Sequence, residues 1–434
     1  MATNIFKEKK GDINKFLLKM RSRLGFGAEE ENVVREIINN VNKDGDKAII
    51  EYTKKFDGIN ITPKEFKLSK EAWEEGIKRI EPTLKEVIDI TADRLEKYYR
   101  KIAINSWFYH DEYGNLLGTK VTPLERVLVY APGGKAIYPS SVLMGVIPAK
   151  VAGVKEIILT TPAKGGNIAP SVLYAAKKAG VSSVYVLGGA HAIAGFSFGT
   201  KILPKVDKII GPGNIYVATA KKLLFGVVDI DMVAGPSEVL VIFDETANLS
   251  HVALDMLSQL EHDEKAVAIA ITCSRSAGIE LEKVLVNEAK KTKRYSIIKK
   301  SLENSAIILA NDLLEAVNIA NEIAPEHLEV CTENPYELIP FIRNAGAVFI
   351  GKNTPEAIGD YIAGPNHILP TGGTARFFSP LSVEDFVKRT SIISFTDKGL
   401  KALGEKVSYF AKAEGLFAHS ESVELRLKRL KDEV

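Results

Sequence analysis

The chain has 434 residues, 46% apolar and 26% charged, the make-up of a soluble globular protein and more chain than one compact core takes in. Its 57 basic and 55 acidic side chains leave a formal net charge of +2, which excludes a strong electrostatic case for nucleic acid or an anionic membrane as partner. With Cys273 and Cys331 as its two cysteines and no C-x-x-C, neither a zinc ribbon nor a disulfide framework fits, so any metal needs nitrogen and oxygen ligands.

The amino terminus, MATNIFKEKKGDINKFLLKMRSR, has no apolar h-region, and no long apolar run follows it, so no membrane span and a cytoplasmic location are expected. The next stretches, ENVVREIINNVNKDGDKAIIEYTKKFDG and SKEAWEEGIKRIEPTLKEVIDITADRLEKYYRKI, carry apolar residues at three- and four-residue steps and read as helices, with Gly58 as a stop. From Arg126 the rhythm changes. RVLVYAPGG, EIILTTP, SSVYVLGG and VDKIIGPG read as strands, and the helix candidates PSSVLMGVIPAKVAGV, APSVLYAAKKAG, AHAIAGFSFG and NIYVATAKKLLFG alternate with them. The alternation resumes after Gly235 with SEVLVIFD, KAVAIAITC, SAIILA, LEVCT and GAVFIG, which implies βαβ units and parallel sheets. The series suits two Rossmann-like α/β domains with helical N-terminal and C-terminal segments; the last fifty or so residues return to helical patterning.

Ligands of doubly wound sheets sit at the carboxyl ends of strands, where three glycine turns fall: YAPGGKAIYPSS, LGGAHAIAG and IGPGNIYVA. Each aims backbone N–H groups at an anion such as a pyrophosphate, although none completes G-x-G-x-x-G with a following acid. In LDMLSQLEHDEKA, Gln259 and His262 are three apart on an apparent helix and can share a cation; the other reading is a capped helix end before a polar loop. IGDYIAGPNHILPTGGTARF carries Asp360 and His367 on a Gly- and Pro-rich loop, and KAEGLFAHSES sets Glu414 and His419 on one pocket only if the helix breaks, as at Gly415. IAPEHLEV puts Glu326 beside His327 just after Pro325, either a solvated turn or a chemical pair.

Taken together, VYAPGGKAIYPSSVLMGVIPA, GPGNIYVATAK, DMVAGPSEVLVI, DMLSQLEHD, APEHLE, GDYIAGPNHILPTGGTARF and AEGLFAHSES resemble the histidinol dehydrogenase family in order and spacing over nearly the whole chain. The resemblance implies oxidation of L-histidinol to L-histidine through L-histidinal, with Zn²⁺ and NAD as cofactors. It implies Gln259, His262, Asp360 and His419 as metal ligands, and Glu326 and His327 as catalytic bases. It implies Ser237, Gln259, His262, His327, Asp360, Glu414 and His419 around the substrate, and Tyr130, His191 and Asn214 on NAD. At His191 this chain departs from the family's glutamine, and an imidazole offers a different hydrogen-bonding shape from an amide. The implied partner is a second copy of the chain, with an active site shared between subunits. The implied division is an N-terminal helical arm (1–25), a first α/β domain (26–129 with 237–381), an NAD-binding α/β domain (130–236) and a C-terminal helical dimerisation segment (382–434).

On this reading Glu326-His327 is a chemical pair. A neutral imidazole suits removal of the alcohol proton as hydride leaves, and a carboxylate raised toward neutrality by burial suits activation of the water that must add to the aldehyde. Two other classes compete: a zinc hydrolase using Glu326 as base, which needs no nucleotide, and a metal-stabilised dimeric binding protein without a reaction.

Overall fold

A computed structural model describes residues 5–8, 10–21, 27–133, 138–162, 167–233 and 235–432. The YAPGGK turn and the AGPS turn therefore lie partly outside the described residues, at 134–137 and 234. The chain forms two compact units, Met1–Ile102 with Leu124–Phe386, and Ala103–Pro123 with Val387–Val434.

The larger unit holds two all-parallel sheets, as the strand–helix alternation implied. One has five strands in the order Ser183–Tyr185, Glu156–Thr160, Arg126–Tyr130, Lys208–Ile210, Asp229–Ile230. The other has six, in the order Phe6–Lys7, Ala306–Leu309, Val267–Thr272, Glu238–Phe243, His327–Cys331, Ala347–Ile350. Both faces of each sheet are covered, so the strands read as apolar runs, and the two-residue alternation of a strand sorts their side chains between two cores. Val127 and Val129 pack with Leu143, Ile147 and Leu173, while Leu128 packs on the opposite face with Ile193, Phe196 and Val217. In the six-stranded sheet Leu240, Ile242, Leu328 and Val330 face one core, and Val239, Val241 and Phe243 the other. Each such fully buried side chain stabilises the fold by roughly 2 kcal/mol before entropy is counted.

The helices of residues 28–101 group differently from the expected division. Val34, Ile37 and Ile49 join the core around Leu128, and Ile88, Leu95 and Tyr99 the core around Val127, so these helices cover the five-stranded sheet rather than the strands of 237–381. Order along the chain does not set which apolar stripe finds which sheet face. The amino-terminal arm is also not wholly helical: Phe6–Lys7 adds an edge strand beside Ala306–Leu309 before the helix Lys10–Arg21.

The smaller unit contains an antiparallel sheet in which Leu116–Pro123 lies between Trp107–His110 and Val387–Ser394. The helices Asp397–Ala413 and Phe417–Asp432 follow, with Leu427 seated against Gly404. The strand Val387–Ser394 stands where helical patterning was expected; its partner lies more than 260 residues earlier, so local periodicity carried no trace of the pairing.

Candidate active site

The six-stranded sheet places a polar cluster where its strands begin. The helix Leu313–Ile323 ends at Ala324, whose φ of 53° makes it the one non-glycine residue with positive φ among the described residues. Pro325 then turns the chain extended, and Glu326 and His327 enter the sheet beside Val239 and Ala347. Gly346 permits this entry, since a Cβ there would lie 2.5 Å from the Glu326 carbonyl oxygen.

Both members of the pair are buried, Glu326 at 7% and His327 at 4% exposure, so the solvated-turn reading fails. Glu326 Oε2 accepts the N–H of Glu238 at 3.0 Å. His327 Nδ1 lies 3.1 Å from the Glu238 carbonyl oxygen, which can only accept, so Nδ1 carries the proton. In the neutral ring Nε2 is then the bare nitrogen; it is buried, 3.8 Å from Asp360 Oδ1. Burial pushes Glu326 up to about 8, against the pull of His327. For His327, burial favours the neutral ring, but Glu356, Glu326 and Asp360 outweigh it and push the imidazole up to about 10.

Two further helices complete the cluster. Gln259, at 1% exposure, lies in the last turn of the helix Leu249–Leu260. With its amide turned so that both ends are satisfied, it donates to the Glu356 carboxyl and accepts the Glu238 N–H at 3.1 Å. His262 lies just past the helix end, not on it; its N–H bonds the Gln259 carbonyl at 3.2 Å, which keeps the two close, and its ring is exposed within electrostatic reach of Asp360 and His327. The short helix Glu356–Tyr361 carries Glu356 and Asp360 one turn apart. Burial raises Asp360, but His327, His367 and His262 outweigh it and hold the carboxyl below its usual range. One donor atom each from His327, Glu356 and Asp360 lies within 4.8 Å of the others, a grouping fit for a metal ion.

Two members escaped sequence reasoning. Glu356 reads as an ordinary acidic first turn, although its four-residue spacing from Asp360 marks a shared face. His367 was noted but given no role; its Nδ1 lies 2.9 Å from the Asp360 carbonyl oxygen and its Nε2 3.3 Å from Ser141 Oγ. Ser237 precedes the strand Glu238–Phe243, and its carbonyl accepts the Val267 N–H. Glu414 and His419 belong to the smaller unit, both exposed, on either side of the break that Gly415 makes with φ 75°.

The expected nucleotide contacts lie at the other sheet, where its strands end. Tyr130 closes the strand Arg126–Tyr130, and its hydroxyl accepts the Gly189 N–H at 3.3 Å; burial pushes it up to about 12. Gly211 has φ 106° and packs so close that a Cβ would lie 2.2 Å from the Tyr130 carbonyl oxygen. Asp231 accepts the Gly211 N–H at 2.7 Å, and Lys221, ion-paired with Asp231, donates to its carbonyl at 3.0 Å. Asn214 caps the following helix through the N–H groups of Tyr216 and Val217. His191 is buried at 1% exposure with Nε2 3.2 Å from Thr53 Oγ1. Thr53 spends its own proton on Ile49, so His191 Nε2 is the donor and Nδ1 an unpartnered acceptor. Burial lowers this imidazole to about 4.

Parallel sheets ending in glycine turns, joined to a buried imidazole–carboxylate couple beside a metal-ready cluster, outline an α/β oxidoreductase. The sequence pattern of the family described as histidinol dehydrogenase matches residues 22–427. The chain is 49% identical over 399 residues to a histidinol dehydrogenase of Syntrophotalea carbinolica, covering 92% of this chain and 93% of that one. It is 48% identical over 424 residues to one of Aquifex aeolicus, covering 96% and 98%. The crystal structure of histidinol dehydrogenase from Elizabethkingia anophelis superposes with a TM-score of 0.93 at 36% identity over 98% of each chain. This chain belongs to the histidinol dehydrogenase family, and it is accordingly an oxidoreductase of histidine biosynthesis.

Proposed function

We propose that the chain oxidises L-histidinol to L-histidine through L-histidinal with two NAD⁺ and one Zn²⁺, the ion held by Gln259, His262, Asp360 and His419. The grouping of His327, Glu356 and Asp360, with one donor atom of each within 4.8 Å of the others, supports a metal here; Asp360 is the member shared with the proposed ligands. When bound, Zn²⁺ supplies an anchor for the imidazole and amine of the substrate and NAD⁺ supplies the hydride acceptor.

The observation that carries the mechanism is the fixed tautomer of His327. Its Nδ1–H is spent on Glu238, so Nε2, left neutral where a bound cation would offset the pull of Glu356 and Asp360, takes the alcohol proton as hydride leaves the carbinol carbon. The aldehyde so formed has no O–H. Glu326 in its carboxylate form removes a proton from water as the oxygen bonds the aldehyde carbon, and the imidazolium of His327 returns its proton to the former carbonyl oxygen, which yields the hydrate. His327, neutral again, then takes a hydrate O–H proton as the second hydride departs, leaving the carboxylic acid, and Glu326 gives up its proton to solvent. Ser237, Glu414 and the ligands orient the substrate, and Tyr130, His191 and Asn214 contact NAD⁺. Glu414 and His419 come from a second copy of the chain in a homodimer, and the reaction belongs in the cytoplasm. NADH counted per histidinol consumed tests the scheme: two are expected, and one would overturn it.

A further inference from the structure

The stretch EHLEV holds a second carboxylate that the mechanism leaves idle. Glu329 lies in the strand His327–Cys331, two residues beyond His327 and on the same face, with 0% exposure. A carboxyl in the middle of a sheet persists only where neighbours satisfy it. Glu329 Oε1 accepts the backbone N–H of Glu356 at 2.7 Å. Glu356 opens the helix Glu356–Tyr361, whose preceding residue, Pro355, offers no side-chain cap. The cap that this short helix lacks in its own sequence thus comes from a strand 27 residues earlier. Asp255 of the helix Leu249–Leu260 stands within electrostatic reach of Glu329, and burial raises both carboxyls, while Glu329 Oε2 has no hydrogen-bond partner.

This grouping brings together three elements that each carry a site residue. His327 is on the strand, Gln259 is one turn beyond Asp255 on the long helix, and Glu356 and Asp360 are on the short helix. Six residues are too few for a helix to hold its own place, so the position of both carboxylates depends on what grips its first turn. We infer that Glu329, through its bond to the Glu356 N–H, is a positioning residue that sets the helix Glu356–Tyr361 so that Glu356 and Asp360 meet His327 and Gln259. The inference rests on the proposed metal site.

The test compares Glu329→Gln with Glu329→Met, reading Zn²⁺ affinity by chelator competition and hydrogen exchange at the Glu356 amide. The glutamine keeps an acceptor for that amide, so Zn²⁺ affinity within about threefold of the parent is expected; the methionine fills the same space without an acceptor and should lose about 10–100-fold. KM for NAD⁺ should stay unchanged in both. A methionine variant that binds Zn²⁺ like the parent, or a glutamine variant that loses as much as the methionine, overturns the inference. If the methionine variant does not fold, Glu329→Asp replaces it, since the shorter arm withdraws the acceptor while keeping the charge, and the same loss is required. A parent protein that takes up no Zn²⁺ overturns the metal reading instead. The inference then stands or falls on the Glu356 amide, which should exchange slowly in the parent and glutamine proteins and fast in the aspartate protein.

Discussion

In the five-stranded sheet the polar turns gather where strands end, at Tyr130, Gly189 and Gly211; in the six-stranded sheet the polar cluster gathers where strands begin, at Glu238 and His327. The first arrangement is the usual one for parallel sheets, with backbone N–H groups and helix N-termini facing a ligand. The second offers mainly side chains: the imidazole, carboxylates and amide of a proton-transfer and metal site. The two edges are tied to each other through the loop of residues 364–371. His367 reaches Ser141 of the helix Pro139–Ala152, and Asn366 donates to the Met144 carbonyl of the same helix. At the opposite edge of the six-stranded sheet lies a cleft of about 880 Å³, lined by Asp255, Cys331 and Tyr336, away from the catalytic cluster. On the proposed reading, two sheets of one architecture divide the work, one edge taking the dinucleotide and the other the chemistry.

The division can be broken from either side. The largest effect is expected from His327→Gln, which removes the base of both oxidations: kcat should fall about 10²–10⁴-fold for histidinol and for histidinal, with KM for NAD⁺ little changed. A matching rise in that KM would erase the distinction between the edges. Next, Asp360→Asn should weaken Zn²⁺ binding by at least about tenfold, read by chelator competition, while NAD⁺ binding to the metal-free protein stays as in the parent. The smallest effect is expected at the other edge. Gly211→Ala forces a Cβ against Tyr130 at φ 106°, a strain of about 1–3 kcal/mol. It should raise KM for NAD⁺ and leave Zn²⁺ content intact; lost zinc would show that the two edges are not separable.

Much of this was legible in the chain. The apolar runs from Arg126 to Ile350 gave nine of the eleven described strands of the two parallel sheets, because strands buried on both faces show as runs rather than alternation; the two-residue strands Phe6–Lys7 and Asp229–Ile230 are too short to leave a run. Gly58 ends its helix in the left-handed region, as a stop signal should. What stayed hidden was long-range. The pairing of Val387–Ser394 with Leu116–Pro123, and the packing of residues 28–101 on the five-stranded sheet, depend on partners that no local window contains. In the site, Glu326 and His327 stood out as a pair, whereas Glu356 and Glu329 looked like ordinary acids until the fold brought them onto Gln259 and Asp255. The choice of edge had left a sign: Glu326-His327 stands at the start of its strand, while the glycine turns follow theirs.

The separate role of Glu326 is the sharpest point of the account. With a carboxyl raised to about 8, its base form grows as pH rises toward that value, so histidinal oxidation should climb with pH up to about 8. Glu326→Gln lacks that base at every pH. NADH formed per histidinol consumed by this variant, with an aldehyde trap present, is the deciding number: one is expected, against two for the parent without the trap, and a value of two, or no NADH at all, would contradict the division of labour between Glu326 and His327.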